Sequence, residues 1–322
     1  MDVAATGILS QVDASPRGET IGMTTEAFFM MSEEVEQAVQ ERKGVVALET
    51  AVLTHGLPFP DNLETMARME RAVRRQGSVP AVVGLHQGQI IVGIEPNNWE
   101  ALLNNPEKCS LRDLGIAMAR GRNGGTTVAA TAYLAHRAGI RVFATGGIGG
   151  VHRGWSETLD VSADLYALAN VPMIVVSSGA KSILDLPKTM EVLESLGVPV
   201  VGYRTAVLPG FYVRETGLSV SSSITRPGDI IAIDCAMRSI GMRQALLLVQ
   251  PGPLSVDEEL VEALIGEALA AARAQSIVGK QTTPFLLEFL NQHAGDSLKA
   301  ANIALLENNA SLAAQVAAAF HV

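Results

Sequence analysis

The sequence predicts a layered α/β/α fold, a single domain around a central, mostly parallel or mixed sheet. Three observations predict it. Short apolar runs rich in Val, Ile and Ala alternate with longer segments whose apolar residues recur at helical spacing. Ala, Val, Leu and Gly dominate a chain that is 48% hydrophobic and only 4% aromatic, a mix that suits strands buried on both faces better than an all-β sandwich. The 322 residues contain no internal repeat and no long linker, so a single catalytic-sized domain over residues 31–322 is the simplest organisation.

Each element follows in order. Residues 1–30 mix Gly, Ser, Thr and Pro with little periodicity and read as a flexible N-terminal arm. A helix is predicted over 32–42, with Val35, Ala38 and Val39 on one face. GVVALETAVLT reads as a buried strand with one acid, Glu49, inside it. HGLPFPDN is a loop whose Asn62 is placed to cap the helix LETMARMERAVRRQ. PAVVGLHQGQIIVGI reads as a hairpin turning at Gln87 and Gly88. GRNGGTTVAAT is a Gly-rich turn entering a helix, and RVFATGGIGGVHRG is a strand entering a second Gly-rich loop, followed by a helix over 162–169. VPMIVVSSGAKSILDL reads as strand, turn and helix. VPVVGYRT is a strand, DIIAIDCAMRSIG a helix and ALLLVQPGP a strand, before a C-terminal third made of three helical segments.

Composition narrows the function. The net charge of −9, with no Lys/Arg-rich run, argues against a nucleic-acid polymer as partner, while leaving room for a small phosphate ligand in a local basic site. Two cysteines, Cys109 and Cys235, lack CxxC neighbours, which disfavours a zinc site and a disulfide framework and suits a reducing compartment. The first 30 residues lack a basic start and an apolar core of the signal-peptide kind, and no apolar run reaches the roughly 18 residues of a membrane span. A cytoplasmic protein without a membrane partner is expected.

Few residues stand out chemically. Lys181, in Gly-Ala-Lys-Ser, follows the strand VPMIVVSS, and ligands of open α/β sheets gather at the carboxyl ends of strands. Set beside a helix N-terminus and partly buried, a lysine there is pushed toward the neutral amine that Schiff-base chemistry needs; a phosphate-binding or surface lysine is the plainer reading. Glu49, inside an apolar strand, is either a general acid–base group with a raised pKa or half of a structural ion pair. GGIGGVHRGWSETLDVSAD gathers His152, Arg153, Glu157, Asp160, Ser162 and Asp164. A carboxylate such as Asp160 can hold a hard divalent ion with waters, or simply cap the helix. GRNGGTT can cradle a phosphate at a helix N-terminus or form an ordinary turn; it matches neither a Walker A motif nor GxGxxG. His55 follows the Glu49 strand, as a cleft residue or a satisfied loop histidine, and Asn302 is a single amide on an otherwise apolar helix.

Together, VALET…HGLPFPDNLE, KCSLRDL, GGTTVAAT…AGIRVFATGGIGGVHRG, LDVSADL, GAKSILDLPKTMEVLESLGVPVVGY and GKQTTPFLL…ANIALLENNASLAAQVA resemble the pseudouridine-5′-phosphate glycosidase family, also called indigoidine synthase A-like. The resemblance covers residues 32–322. It implies reversible conversion of pseudouridine 5′-phosphate to ribose 5-phosphate and uracil with a divalent metal, Mn2+, in a homotrimer. It further implies that Lys181 is the nucleophile at C1′, Glu49 the proton donor and Asp160 the metal ligand. Lys108, Val128, Ser162, Ala163, Asp164 and Asn302 are then substrate contacts. A C-glycoside has no heteroatom leaving group, so the paired carboxylates of ordinary glycosidases do not suffice and an amine that forms an iminium is chemically apt. The chain departs from the family pattern at ALETA, at Trp155 and Ser156, at Leu111 and at QPGP over residues 250–253. These departures point to a base pocket of altered shape. They support a second reading, a C-glycosynthase of specialised metabolism that joins ribose 5-phosphate to an aromatic acceptor stacked on Trp155. A non-catalytic phosphosugar-binding protein is the third.

Overall fold

A computed structural model describes residues 28–254 and 256–320. Strand β1 (Phe29–Met31) and helix α1 (Glu33–Gln40, capped by the Ser32 side chain) come first. They are followed by β2 (Val45–Glu49), α2 (Asp61–Arg75), β3 (Val79–His86) and β4 (Gln89–Val92). Next are α3 (Trp99–Leu102), β5 (Glu107–Cys109), α4 (Leu111–Ala119), β6 (Gly124–Thr126), α5 (Val128–Arg137) and β7 (Val142–Ala144). The middle of the chain holds α6 (Trp155–Thr158), α7 (Ala163–Asn170), β8 (Ile174–Ser177), α8 (Leu186–Ser195) and β9 (Val200–Tyr203). Then come β10 (Ser222–Ile224), α9 (Asp229–Ser239), β11 (Leu246–Val249), α10 (Glu258–Ala274), α11 (Thr282–His293) and α12 (Asp296–Ala319).

The strands form one 11-stranded sheet in the order β1-β4-β3-β2-β7-β8-β11-β9-β10, with β6 joining β3 to β5. Pairings are parallel except β3 with β4 and β3 with β6. This is the α/β layered, mostly parallel architecture that the strand–helix alternation predicts. The central strands β2, β7, β8 and β11 are buried throughout, because helices cover both faces and every side chain of a strand then meets apolar neighbours. The predicted hairpin is β3–β4. Its turn residues Gln87 and Gly88 have φ 49° and 80°, the left-handed pair that matches the twist of flanking strands. No helix among the described residues is long and apolar enough to cross a membrane.

Several details differ from expectation, each for a local reason. The arm expected over residues 1–30 falls mainly outside the described residues; its last part is not an arm, because Phe29–Met31 pairs parallel with β4 and extends the sheet. The strand carrying Glu49 stops at that residue. Beyond it, Val52–Gly56 turns as a π-helix, which swings His55 back over the carboxyl end of the sheet. Asn62 does not cap α2 but sits inside it, its Nδ2 donating to Leu53 O at 2.6 Å and so fastening that π-turn. α8 begins only at Leu186 with Asp185 as its cap, so Lys181 lies in a loop and not at a helix N-terminus. Asp160 does not cap α7; Ser162 does, accepting from Asp164 N.

α12 is the helix that ties the site together. It packs on α2 and on β2, β7 and β8. Its Ala-rich faces let it approach closely, and Leu298, Leu305, Asn309, Ala313 and Val316 are all buried.

Candidate active site

The carboxyl ends of three adjacent parallel strands set the site, as expected for an open α/β sheet. β2 ends in Glu49, β7 runs into Thr145, Gly146 and Gly147, and β8 runs into the loop that carries Lys181. A cavity of about 480 Å³ opens above them. Every site residue that the family resemblance implies lines it: Lys181, Glu49, Lys108, Val128, Asp160, Ser162, Ala163, Asp164 and Asn302.

Each side chain has a structural reason for its position. Glu49 is 5% exposed, and its Oε1 accepts a hydrogen bond from Thr145 Oγ1. Lys181 Nζ donates to Gly147 O at 2.8 Å. Lys108 sits in β5, while Val128 opens α5 just after GGT, which is the strand β6 and not the turn expected from its glycines. Asp164 is a staple: its Oδ1 accepts from Ala129 N at 2.9 Å and its Oδ2 from Gly149 N at 2.8 Å, binding the start of α5 to the second glycine loop. Gly149 must lack a side chain, since a Cβ there would strike Ser162 Oγ and lie 2.7 Å from Asp164 Oδ2. Asp164→Asn turns an amide NH2 toward one of these donors. It is expected to cost about 2 kcal/mol, read as a lowered denaturation midpoint.

Gly179 shapes the lysine loop. It has φ 82°, and a Cβ would collide with the backbone carbonyl of Pro209. Gly179→Ala therefore combines left-handed strain with a rigid backbone clash. The expected result is a loss of at least about 2 kcal/mol of stability, with a displaced Lys181, checked by thermal unfolding and by turnover.

The electrostatics divide the cavity into protonation states. Burial pushes the Glu49 carboxyl above its usual range, only partly opposed by the Lys181 charge and the Thr145 hydrogen bond. Burial brings Lys108 down to about 8, helped by Lys181 and resisted by Asp164, Glu49 and Asp160. His55 is brought down to about 4 by burial and by Lys108, so it is neutral near pH 7. Thr54 Oγ1 donates to Thr50 O at 3.1 Å and so accepts from His55 Nδ1 at 2.6 Å, which leaves Nε2 as the ring's acceptor. His152 is also lowered by burial, with Asp160 opposing.

Asp160 passes a simple test as a cation ligand. It lines the cavity, its carboxylate accepts no hydrogen bond among the described residues, and His152 Nδ1 lies 4.0 Å from its Oδ2. The described residues contain no group of three or more His, Cys, Asp or Glu that could form an all-protein cage. One carboxylate with waters and substrate oxygens completing the shell is the arrangement that fits a hard divalent ion.

Sequence reasoning missed several lining residues. Thr145 and Thr127 belong to motifs that were read for their glycines; Thr127 Oγ1 is buried with no hydrogen-bond partner among the described residues. Phe211 and the α11 residues Thr283, Pro284 and Leu287 give no signal, because an apolar helix reads as core until its neighbours are known. Conversely, the departures at Trp155, Ser156, Thr50 and Gln250 lie off the cavity. Trp155 is a surface residue, 38% exposed, and Thr50 hydrogen-bonds Val83 O beneath the sheet end. Among the departures, Leu111 and Ala51 of ALETA reach the lining.

Comparison with known proteins fits this geometry. Residues 34–319 match the family described as indigoidine synthase A like protein. A pseudouridine-5′-phosphate glycosidase of Saccharopolyspora erythraea is 47% identical over 294 residues, covering 90% of this chain and 97% of its own. Among solved structures, an indigoidine synthase A-like protein from Thermotoga maritima superposes with a TM-score of 0.84 at 34% identity, over 92% of this chain and 97% of its own. A prealnumycin C-glycosynthase in complex with ribulose 5-phosphate superposes with a TM-score of 0.83 at 40% identity, over 91% and 96%. With a matched segment that spans the glycine loops, α12 and every strand of the sheet but β1, the chain belongs to the indigoidine synthase A-like family.

Proposed function

We propose that the protein is a pseudouridine-5′-phosphate glycosidase that reversibly cleaves the C–C bond between C1′ of ribose 5-phosphate and uracil. One observation carries this reading: a buried Glu49, whose carboxyl burial pushes above its usual range, and an amine, Lys181, line a single cavity with the phosphosugar contacts that the resemblance implies.

In this scheme the Lys181 amine bonds to C1′ as the C1′–O4′ bond breaks, and the proton that the nitrogen sheds passes to O4′, leaving a neutral secondary amine. The nitrogen lone pair then forms the iminium as the C1′–C5 bond breaks, and Glu49 delivers its proton to the departing ring carbon. Water hydrolyses the iminium, returning the amine and releasing the aldehyde of ribose 5-phosphate. The net reaction consumes one water. Burial raises the Glu49 pKa and so favours the acid form this step requires. Lys108 supplies positive charge to the sugar phosphate, and Thr127, Ser162 and the α5 N-terminus offer hydrogen-bond donors. Asp160 would hold the divalent metal, Mn2+, which when bound neutralises phosphate and hydroxyl charge.

The same residues serve bond formation, and the 40%-identical C-glycosynthase favours a second reading in which an aromatic acceptor replaces uracil. Its ring would meet Leu111, Pro284, Leu287 and Leu306 rather than Trp155. Incubation of the enzyme and Mn2+ with ribose 5-phosphate and either uracil or aromatic acceptors separates the two. Consumption of uracil, and cleavage of pseudouridine 5′-phosphate, supports the first; use of aromatic acceptors alone overturns it. A cytoplasmic location remains the expectation of the sequence, and sedimentation tests the homotrimer that the resemblance implies.

A further inference from the structure

We infer that Asn309, with Gln250 behind it, is a positioning residue that sets both Glu49 and Lys181 in register for catalysis. The inference rests on the roles proposed above for those two groups.

Asn309 lies on α12, fully buried, and meets the ends of three strands at once. Its Nδ2 donates to Thr145 O at 2.9 Å, with Gly146 O at 3.3 Å and Ser178 Oγ at 3.1 Å as further acceptors. Its Oδ1 accepts from Gln250 Nε2 at 3.1 Å, at the end of β11. Gln250 is held in turn, its Nε2 also reaching Asn308 O at 3.0 Å and its backbone N donating to Ser177 O. One amide therefore bonds the segments that follow β7, β8 and β11. Two of them carry the chemistry. Thr145 Oγ1 donates to Glu49, and Gly147, two residues beyond Thr145, accepts from Lys181 Nζ. Ser178 N donates to Gly146 O at 2.9 Å, which locks the two loops to each other.

Most other cavity contacts are hung elsewhere, although Asn302 shares α12 and Asp164 accepts from Gly149 N. Lys108 belongs to β5, Val128 to α5, and Ser162 and Asp164 to the start of α7. Disturbing Asn309 should thus disturb the covalent and proton-transfer groups while sparing sugar-phosphate binding. Gln250 reaches the Asn309 amide oxygen from the end of β11 through its Nε2, a reach that a shorter amide at 250 would lose.

The test compares wild type with Asn309→Asp and Gln250→Asn. Asn309→Asp keeps the shape but points an acceptor at the carbonyls of Thr145 and Gly146. The expected result is a kcat lower by roughly 30-fold, normalised to the sites that borohydride traps with ribose 5-phosphate, with KM changed less than about threefold. Gln250→Asn should show a weaker form of the same split. Amide hydrogen exchange of residues 145–150 and 178–182, measured without substrate, should quicken at least about tenfold in Asn309→Asp relative to α9. Unchanged exchange in those segments, or a loss that appears mainly as a raised KM with kcat little changed, overturns the inference. Failure of wild type itself to trap ribose 5-phosphate overturns the Lys181 chemistry instead, and the exchange measurement still decides the role of Asn309.

Discussion

Lys181→Ala is expected to lower cleavage of pseudouridine 5′-phosphate by at least about 10⁴-fold and leave the fold intact, because the proposed iminium forms on the Lys181 nitrogen. The side chain is only partly buried, and its Nζ bonds one backbone carbonyl, that of Gly147. Truncation leaves that carbonyl facing a cavity large enough to admit water, so little stability is lost. Unfolding transitions of wild type and variant should nearly coincide. Lys181→Arg should be as inactive, since a guanidinium does not lose its proton near neutral pH. The covalent claim has its own readout: borohydride with ribose 5-phosphate should add one sugar mass at Lys181 in wild type and none in either variant. Turnover surviving in Lys181→Ala would remove the Schiff base from the mechanism. A side effect is also expected. Lys181 helps to hold Lys108 down near 8 and restrains the rise of Glu49, so its loss should move both pKa values upward.

The fold was legible because strands that alternate with amphipathic helices leave few layered solutions. β2, β7, β8 and β11 are short apolar runs in sequence and wholly buried strands in the structure. What the pattern does not encode is where a backbone stops obeying its propensity. VALETAVLT is β-prone throughout, yet the strand ends at Glu49, because the next residues are claimed by Asn62 Nδ2 and by the Thr50 bonds to Val83 and Thr126. Lys181 was found for a partly wrong reason. A helix N-terminus was expected beside it, but the intervening residues 182–185 form a loop bridged to the glycine segment at His152 and Leu184.

The site was legible from the residues whose chemistry is conspicuous in an apolar context: Glu49 inside a strand, Lys181 after one, Asn302 on an apolar helix. Residues whose role depends on partners distant in sequence were not. Thr145 matters because β7 lies against β2, and Asn309 because α12 crosses three strand ends. The Trp155 departure illustrates the opposite error. A large aromatic beside a catalytic loop suggested a stacking platform, but the left-handed turns at Gly154 and Leu159 set the short α6 outward on the surface.

Glu49→Gln is expected to lower cleavage by about 10²–10⁴-fold, the usual worth of a positioned general acid, while sparing the first covalent step. The amide can still accept from Thr145 Oγ1, so the local geometry survives. Imine formation from free ribose 5-phosphate needs no proton on a ring carbon, so borohydride trapping at Lys181 should proceed in the variant. Cleavage of the C-nucleoside should not. The pH behaviour follows from the raised pKa. In wild type the active form carries the Glu49 proton, so kcat/KM should fall as pH rises through the folded-state value; Glu49→Gln should lack that limb. Stability has a definite sign as well. Below the model-peptide value of 4.5 the carboxyl is protonated whether folded or not. Above it, the unfolded chain releases the proton while the buried site retains it, so wild-type stability declines until pH passes the folded pKa. Glutamine carries no such charge. The stability gap between Glu49→Gln and wild type should therefore widen in favour of the variant from pH 4.5 upward, measured by denaturant titration at several pH values. A gap independent of pH would mean that Glu49 is ionised in the resting enzyme, and a different group would then have to protonate the departing carbon.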